Sequence, residues 1–84
     1  MTGKAKENII WSAIDDEVML LDVSSGEFYS LNETAAAVWQ GLQRGDSAAR
    51  IAESLVGTYG VDPAIAQHDV EELIAELRNM GLLH

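Results

Sequence analysis

The stretch Glu17-Val18-Met19-Leu20-Leu21-Asp22-Val23-Ser24-Ser25-Gly26-Glu27-Phe28-Tyr29-Ser30-Leu31-Asn32-Glu33-Thr34-Ala35-Ala36 decides the fold. It begins with an apolar run centred on Val18-Met19-Leu20-Leu21, too short for a free-standing helix and bounded by polar residues. Ser24-Ser25-Gly26 then breaks the run, and its glycine permits the positive φ that short hairpin loops require. Glu27-Phe28-Tyr29-Ser30-Leu31 follows, rich in strand formers. At Asn32 the pattern changes. Its side chain suits a helix N-cap, and Glu33 sits where the positive end of a helix dipole favours an acid.

Working outward, residues 8–14 supply a third short run, Ile9-Ile10-Trp11-Ser12-Ala13-Ile14, closed by the turn pair Asp15-Asp16. Three short runs joined by tight turns predict an antiparallel meander whose outer strands each leave one edge unpaired. Downstream, Ala35, Val38, Trp39 and Leu42 keep the spacing of one helix face, and Gly45 can end that helix. Asp46 or Ser47 caps a second helix with Ile51, Ala52, Leu55 and Val56 on its apolar face, and Gly57 and Gly60 are its possible exits. Asp62-Pro63 is a strong start signal for a third, running to about Met80 with Ala66, Val70, Leu73, Ile74 and Leu77 in its stripe. Gly81 stops it, and Leu82-Leu83 is expected to fold back onto the core. The predicted order is β-β-β-α-α-α: an α+β, winged helix-turn-helix-like domain with a three-stranded antiparallel sheet followed by three helices. Residues 1–84 are read as a single domain, with residues 1–7 disordered.

Composition narrows the function. The 84 residues contain no cysteine, so neither a disulfide nor a thiolate chemistry is available. Fourteen acids against five Lys/Arg give a net charge of −9. Residues 8–43 hold Asp15, Asp16, Glu17, Asp22, Glu27 and Glu33 and no base, and beyond residue 50 Arg78 is the single base. A groove-binding helix needs cations to displace counterions from phosphates, so the winged-helix pattern here does not imply nucleic-acid binding. The same charge disfavours an anionic membrane surface. No apolar run reaches the roughly 20 residues of a membrane span. No targeting segment is visible either, and together with the missing cysteines this leads us to expect a cytoplasmic location.

Catalysis requires convergent reactive groups. Ser30, His68 and Asp69 could be proposed as a triad, but adjacent residues on a helix point about 100° apart, so Asp69 cannot orient His68. Asp15-Asp16-Glu17 lacks the ligand spacing of a calcium loop and reads as a charged turn. Asp69, Glu71, Glu72 and Glu76 have no paired histidines, and no glycine-rich phosphate loop is present. The expectation is a non-enzyme with no metal and no cofactor.

What remains is recognition of a protein or peptide. If the sheet is a simple meander, the third strand, residues 27–31, is an open edge that an extended peptide can complete through its backbone. The candidate contacts are Glu27, Phe28, Tyr29, Ser30 and Leu31 on that strand. On the third helix they are the apolar Val70, Leu73 and Leu77, with Asp69, Glu72 and Glu76 as an acidic rim. The periodicity fits equally a groove lined by Val70, Leu73 and Leu77 and a stripe buried wholly in the core. The same edge also suits a plain scaffold or dimerisation module; the expected state is a monomer or weak dimer.

Leu20-Leu21-Asp22, Gly26-Glu27-Phe28-Tyr29-Ser30-Leu31-Asn32, Thr34-Ala35-Ala36 and Val38-Trp39 resemble the PqqD-like family, as do Tyr59-Gly60-Val61-Asp62, Asp69-Val70, Leu73-Ile74 and Gly81-Leu82-Leu83. The similarity spans residues 9–83; the order and spacing of these short motifs carry it. It implies a recognition element for ribosomally made precursor peptides (a RiPP recognition element), in which the leader segment adds as a strand to the third strand and lies against the third helix. The link Tyr59-Gly60-Val61-Asp62-Pro63 is most similar to the stand-alone leader-binding half of a split lasso-peptide B protein, whose other half is a cysteine protease that removes the leader. The alternative within the resemblance is a PqqD-type peptide chaperone serving a radical-SAM enzyme.

Overall fold

The computed structural model describes residues 4–84. Three strands, β1 (Ile9–Ile14), β2 (Glu17–Asp22) and β3 (Phe28–Leu31), precede three helices, α1 (Glu33–Gln43), α2 (Ala48–Tyr59) and α3 (Pro63–Asn79). The sheet is an antiparallel meander in the order β1-β2-β3. Its registers pair Trp11 with Leu20 and Leu20 with Tyr29, and Ala13 with Val18 and Val18 with Leu31. Side chains alternate across a strand. These rows therefore face the helices, and Val18 and Leu20 in the central strand are fully buried.

Local chemistry accounts for the boundaries. Ile14 pairs with Glu17, so Asp15-Asp16 is a two-residue hairpin loop, and Asp15 takes the left-handed conformation, φ 54°, that Asp tolerates better than most residues. Asn32 caps α1 by accepting from the Ala35 N–H, Ser47 caps α2 through Arg50, and Asp62 caps α3 through Ala64 and Ile65 with Pro63 in its first turn. Of the two glycine exits read for α2, Gly57 is passed over and Gly60, at φ 68°, ends the helix. α1 and α2 approach closely at Gly41: a Cβ there would lie 2.8 Å from Ile51 Cγ1.

The core lies between the sheet's inner face and the helices. Trp39 is its largest member, fully buried on α1, and meets Trp11 of β1 edge to face at 6.1 Å between ring centres. Leu82 and Leu83 return to the core as expected, at 0% and 1% exposure. They also tie down the start of the chain. Ala5 forms a bridge with Leu83, and the Lys6 N–H donates to the Leu82 carbonyl. Residues 4–7, read from sequence as part of a disordered lead-in, thus run beside the C-terminal segment. Residues 1–3 of that reading lie outside the described residues. The short polar lead-in gave no sign of a partner 78 residues away, because a two-residue bridge has no periodicity.

None of the described helices is long and apolar enough to cross a membrane.

Candidate peptide-binding site

The site is built on the edge of β3. The Asp22 N–H donates to the Glu27 carbonyl at 2.9 Å, one step beyond the β2–β3 ladder. In an antiparallel pair, inward-bonding residues alternate with outward-facing ones. Tyr29 and Leu31 therefore spend their backbone groups on β2. Phe28 and Ser30 turn their N–H and C=O outward. No other strand among the described residues pairs with that edge.

The loop before β3 is held firmly. Asp22 Oδ1 accepts from the Ser24 hydroxyl (2.7 Å), the Asn8 amide (2.8 Å) and the Ser24 N–H (3.0 Å). These donors, the Ser24 hydroxyl foremost, hold the Asp22 carboxyl far below the usual carboxylate range. On β3 itself, Phe28 is exposed and Tyr29 half-buried, while Leu31 belongs to the core. Burial, then the neighbouring Glu27 carboxylate, raises the Tyr29 phenol above its ordinary value.

α1 touches β2 and β3 and also α2 and α3. Along α3 the buried stripe is Ala66, Val70, Ile74 and Leu77. The two alternatives left open by periodicity are now separated. Val70 and Leu77, each 1% exposed, are core residues and offer no side chain to a ligand, whereas Leu73 is half-buried and reaches the surface. The reason is angular. At about 100° per residue, Leu73 stands at the margin of the buried stripe, on the flank that also carries Asp69 and Glu76, with Glu72 farther round. Asp69, Glu72 and Glu76 are exposed. Glu72 pairs with His68 one turn away at 3.5 Å. The opposite flank, with Pro63 and Gln67, faces α2.

Sequence reading missed a cavity of about 270 Å³ at the end of this flank, lined by Thr34, Leu55, Tyr59, Val61, Ala66 and Asp69. Asp69 is the one member of the expected contact set that borders it. It is assembled from the first turn of α1, the end of α2 and the start of α3, and no local pattern joins those segments. The Tyr59 hydroxyl donates to Glu33 Oε2 at 2.9 Å, and this acceptor raises the phenol above its ordinary value.

Among the described residues no group of three His, Asp or Glu side chains is placed to hold a metal ion. His68 pairs with Glu72, and His84 with Glu7 at 3.2 Å.

A small β-β-β-α-α-α domain whose third strand has an open edge is the architecture of PqqD-like recognition elements. The chain belongs to the PqqD family: residues 17–83 match the family described as coenzyme PQQ synthesis protein D. Two solved structures share the whole fold. One, a lasso peptide synthetase B1 complexed with the leader peptide, is 33% identical with a TM-score of 0.90, covering 96% of this chain and 95% of that one. The other, TbiB1 in complex with the TbiA(beta) leader peptide, is 27% identical with a TM-score of 0.89, covering 96% and 94%. No curated protein matches the chain.

Proposed function

We propose that this chain binds the leader segment of a ribosomally synthesised precursor peptide by strand addition to β3, with the peptide's side chains along the Asp69–Leu73–Glu76 flank of α3. It then presents the peptide to a leader peptidase, the cysteine-protease half of a split B protein, in lasso-peptide biosynthesis. The observation that carries this reading is the outward-facing backbone of Phe28 and Ser30 on the open edge of β3. The leader complexes of the two similar structures support it. β1 has the other open edge of the sheet, and its Trp11 is already engaged on the inner face with Trp39 of α1. The chain itself performs no reaction in this scheme. It works in the cytoplasm, where the ribosome releases the precursor.

Three or four edge hydrogen bonds, each contributing about 0.5–1.5 kcal/mol net, and one or two buried apolar anchors at about 1.5–3 kcal/mol each oppose several kcal/mol of peptide ordering. The balance gives a Kd between nanomolar and low micromolar. Amide NMR titration with a candidate leader tests the reading. Shifts are expected to cluster on residues 27–31 and on 69, 72, 73 and 76; shifts confined to β1 or to α2 remove it. The PqqD family match favours a second reading, delivery of the precursor to a radical-SAM enzyme. Pull-down of each purified enzyme by the leader-loaded chain separates the two.

A further inference from the structure

β1 lies at the edge of the sheet and pairs only with β2; among the described residues no strand meets its other side. The Val23 N–H donates to the Asn8 carbonyl at 2.9 Å, and Ile14 pairs with Glu17. By alternation, Asn8, Ile10, Ser12 and Ile14 turn their backbone groups to β2, and Ile9, Trp11 and Ala13 turn theirs to the open edge. The side chains are little covered too. Ile10, in one outer-face row with Leu21 and Phe28, is 59% exposed and Ile14 55%. On the inner face Trp11 and Ala13 are exposed, and Ile9 is the one buried residue of the strand. Natural sheets blunt such an edge with a lysine, a proline or a bulge. Residues 9–14, Ile-Ile-Trp-Ser-Ala-Ile, carry no charge and no proline, and their register with β2 is unbroken.

This edge is complementary to itself. In an antiparallel pair, residues that exchange hydrogen bonds stand opposite each other. A twofold axis through Trp11 meets that condition. The Trp11 N–H and C=O face those of Trp11 in a second copy, and each Ala13 N–H faces the other copy's Ile9 carbonyl. The Ile9 N–H is already given to the Lys6 carbonyl at 3.0 Å, so the ladder ends there. Charge agrees with this direction. Lys4 and Lys6 precede β1, with Glu7 held by His84 at 3.2 Å, whereas Asp15, Asp16 and Glu17 close its other end. Antiparallel pairing brings the acidic turn of each copy alongside the basic lead-in of the other; parallel pairing would set acid on acid. A foreign strand would have to supply the same apolar centre and the same order of charge, which the chain itself already carries. The opposing repulsion between two chains of net charge −9 acts over longer distances, and beyond about 8 Å physiological salt screens it.

We propose that β1 is a self-association edge: two copies pair antiparallel about Trp11 into one continuous sheet, with the Asp15-Asp16 turn of each beside the Lys6 segment of the other. Trp11 gains a second aromatic neighbour in addition to Trp39. The two β3 edges then lie at the far ends of the joined sheet, outside the pairing, so each copy keeps its peptide edge. The pairing stands apart from the leader-binding reading; only the binding of one peptide at each end rests on it.

Sedimentation velocity of the full chain from about 5 to 500 µM, with residue-resolved amide exchange at both ends of that range, tests the proposal. The wild type is expected to pass from monomer to dimer, and the Trp11 and Ala13 amides to gain protection with concentration while those of Phe28 and Ser30 do not. Ala13→Pro removes an N–H that the β1–β2 ladder does not use, and should weaken dimerisation at least about tenfold with unchanged circular dichroism. Lys6→Glu should weaken it, Asp16→Lys alone should not strengthen it, and the two together should restore it. This charge exchange decides the matter if the proline disturbs the strand. A monomer throughout the range, or a dimer indifferent to Ala13→Pro and to the charge exchange, overturns the proposal. So does a dimer that a candidate leader peptide dissociates, since the pairing would then use β3. A leader that protects Trp11 and Ala13 in the monomer also overturns it, since a peptide would then be the occupant. A wild type that dimerises as described but binds no leader removes the peptide-binding reading and leaves the β1 pairing standing.

Discussion

Tyr59, the last residue of α2, donates a 2.9 Å hydrogen bond to Glu33, the first residue of α1, beside the cavity next to Asp69. The contact links two helix ends that share no local sequence pattern. It also makes the phenol harder to ionise, because the phenolate would lose its acceptor and face a carboxylate. In a Tyr29→Phe background, phenolate absorbance should report a Tyr59 midpoint above the ordinary value of about 10. Glu33→Gln should bring it back toward that value. The folded-state value is raised, so the contact's stabilisation is complete below about pH 10 and is lost as pH rises beyond it. A midpoint that ignores Glu33→Gln would show that the pair does not form.

Asp22 works in the opposite pH range. Its carboxylate collects the Ser24 hydroxyl, the Asn8 amide and the Ser24 N–H, and its folded-state value is depressed. The stabilisation is therefore present above the ordinary carboxylate value of about 4 and is lost as pH falls through the lower folded-state value. Thermal melts of the wild type should fall progressively below about pH 4. Asp22→Asn should melt lower at neutral pH, with a flatter profile on the acid side. Parallel profiles for the two would assign the acid sensitivity to other carboxylates.

Two leucines one turn apart on α3 should behave differently. Leu77 is buried and Leu73 half-buried. Leu77→Ala leaves a core cavity and should cost about 2–5 kcal/mol of folding stability. Leu73→Ala should cost clearly less, because part of the side chain is already in water, while weakening leader binding about tenfold, or 1.4 kcal/mol. Denaturant melts paired with leader titrations check both. Equal losses of stability would erase the distinction between stripe and flank.

The same pair shows what the sequence discloses. A stripe at positions 66, 70, 73, 74 and 77 announces an amphipathic helix, and the caps at Asn32, Ser47 and Asp62 fix the helix starts because capping is local chemistry. The meander and the open third strand follow from short runs and tight turns. What periodicity cannot fix is the width of the buried stripe, which depends on which neighbours pack against the helix. For this reason Val70, Leu73 and Leu77 looked alike until α1 and α2 were in place. The Tyr59 cavity and the Ala5–Leu83 bridge were invisible for a related reason, since each joins segments far apart in the chain. The exposed row of Ile10, Leu21 and Phe28 was hidden by its own hydrophobicity: an apolar strand residue is ordinarily counted as core, and only the register shows which face it occupies.

The edge itself allows the sharpest test, because neighbouring residues of β3 point their N–H groups in opposite directions. Ser30 faces outward, so Ser30→Pro deletes a donor that the β2–β3 ladder does not use, at the one kind of strand position where proline is tolerated. Tyr29 faces β2, so Tyr29→Pro removes a ladder hydrogen bond and disturbs the pairing with Leu20. Ser30→Pro should stay folded yet bind leader less well, by about 0.5–1.5 kcal/mol for the lost hydrogen bond and more where the ring obstructs the incoming strand. Tyr29→Pro should lose stability first. Circular dichroism and fluorescence anisotropy of a labelled leader distinguish the cases. A folded Ser30→Pro variant with wild-type affinity would mean that the peptide does not extend the sheet at β3.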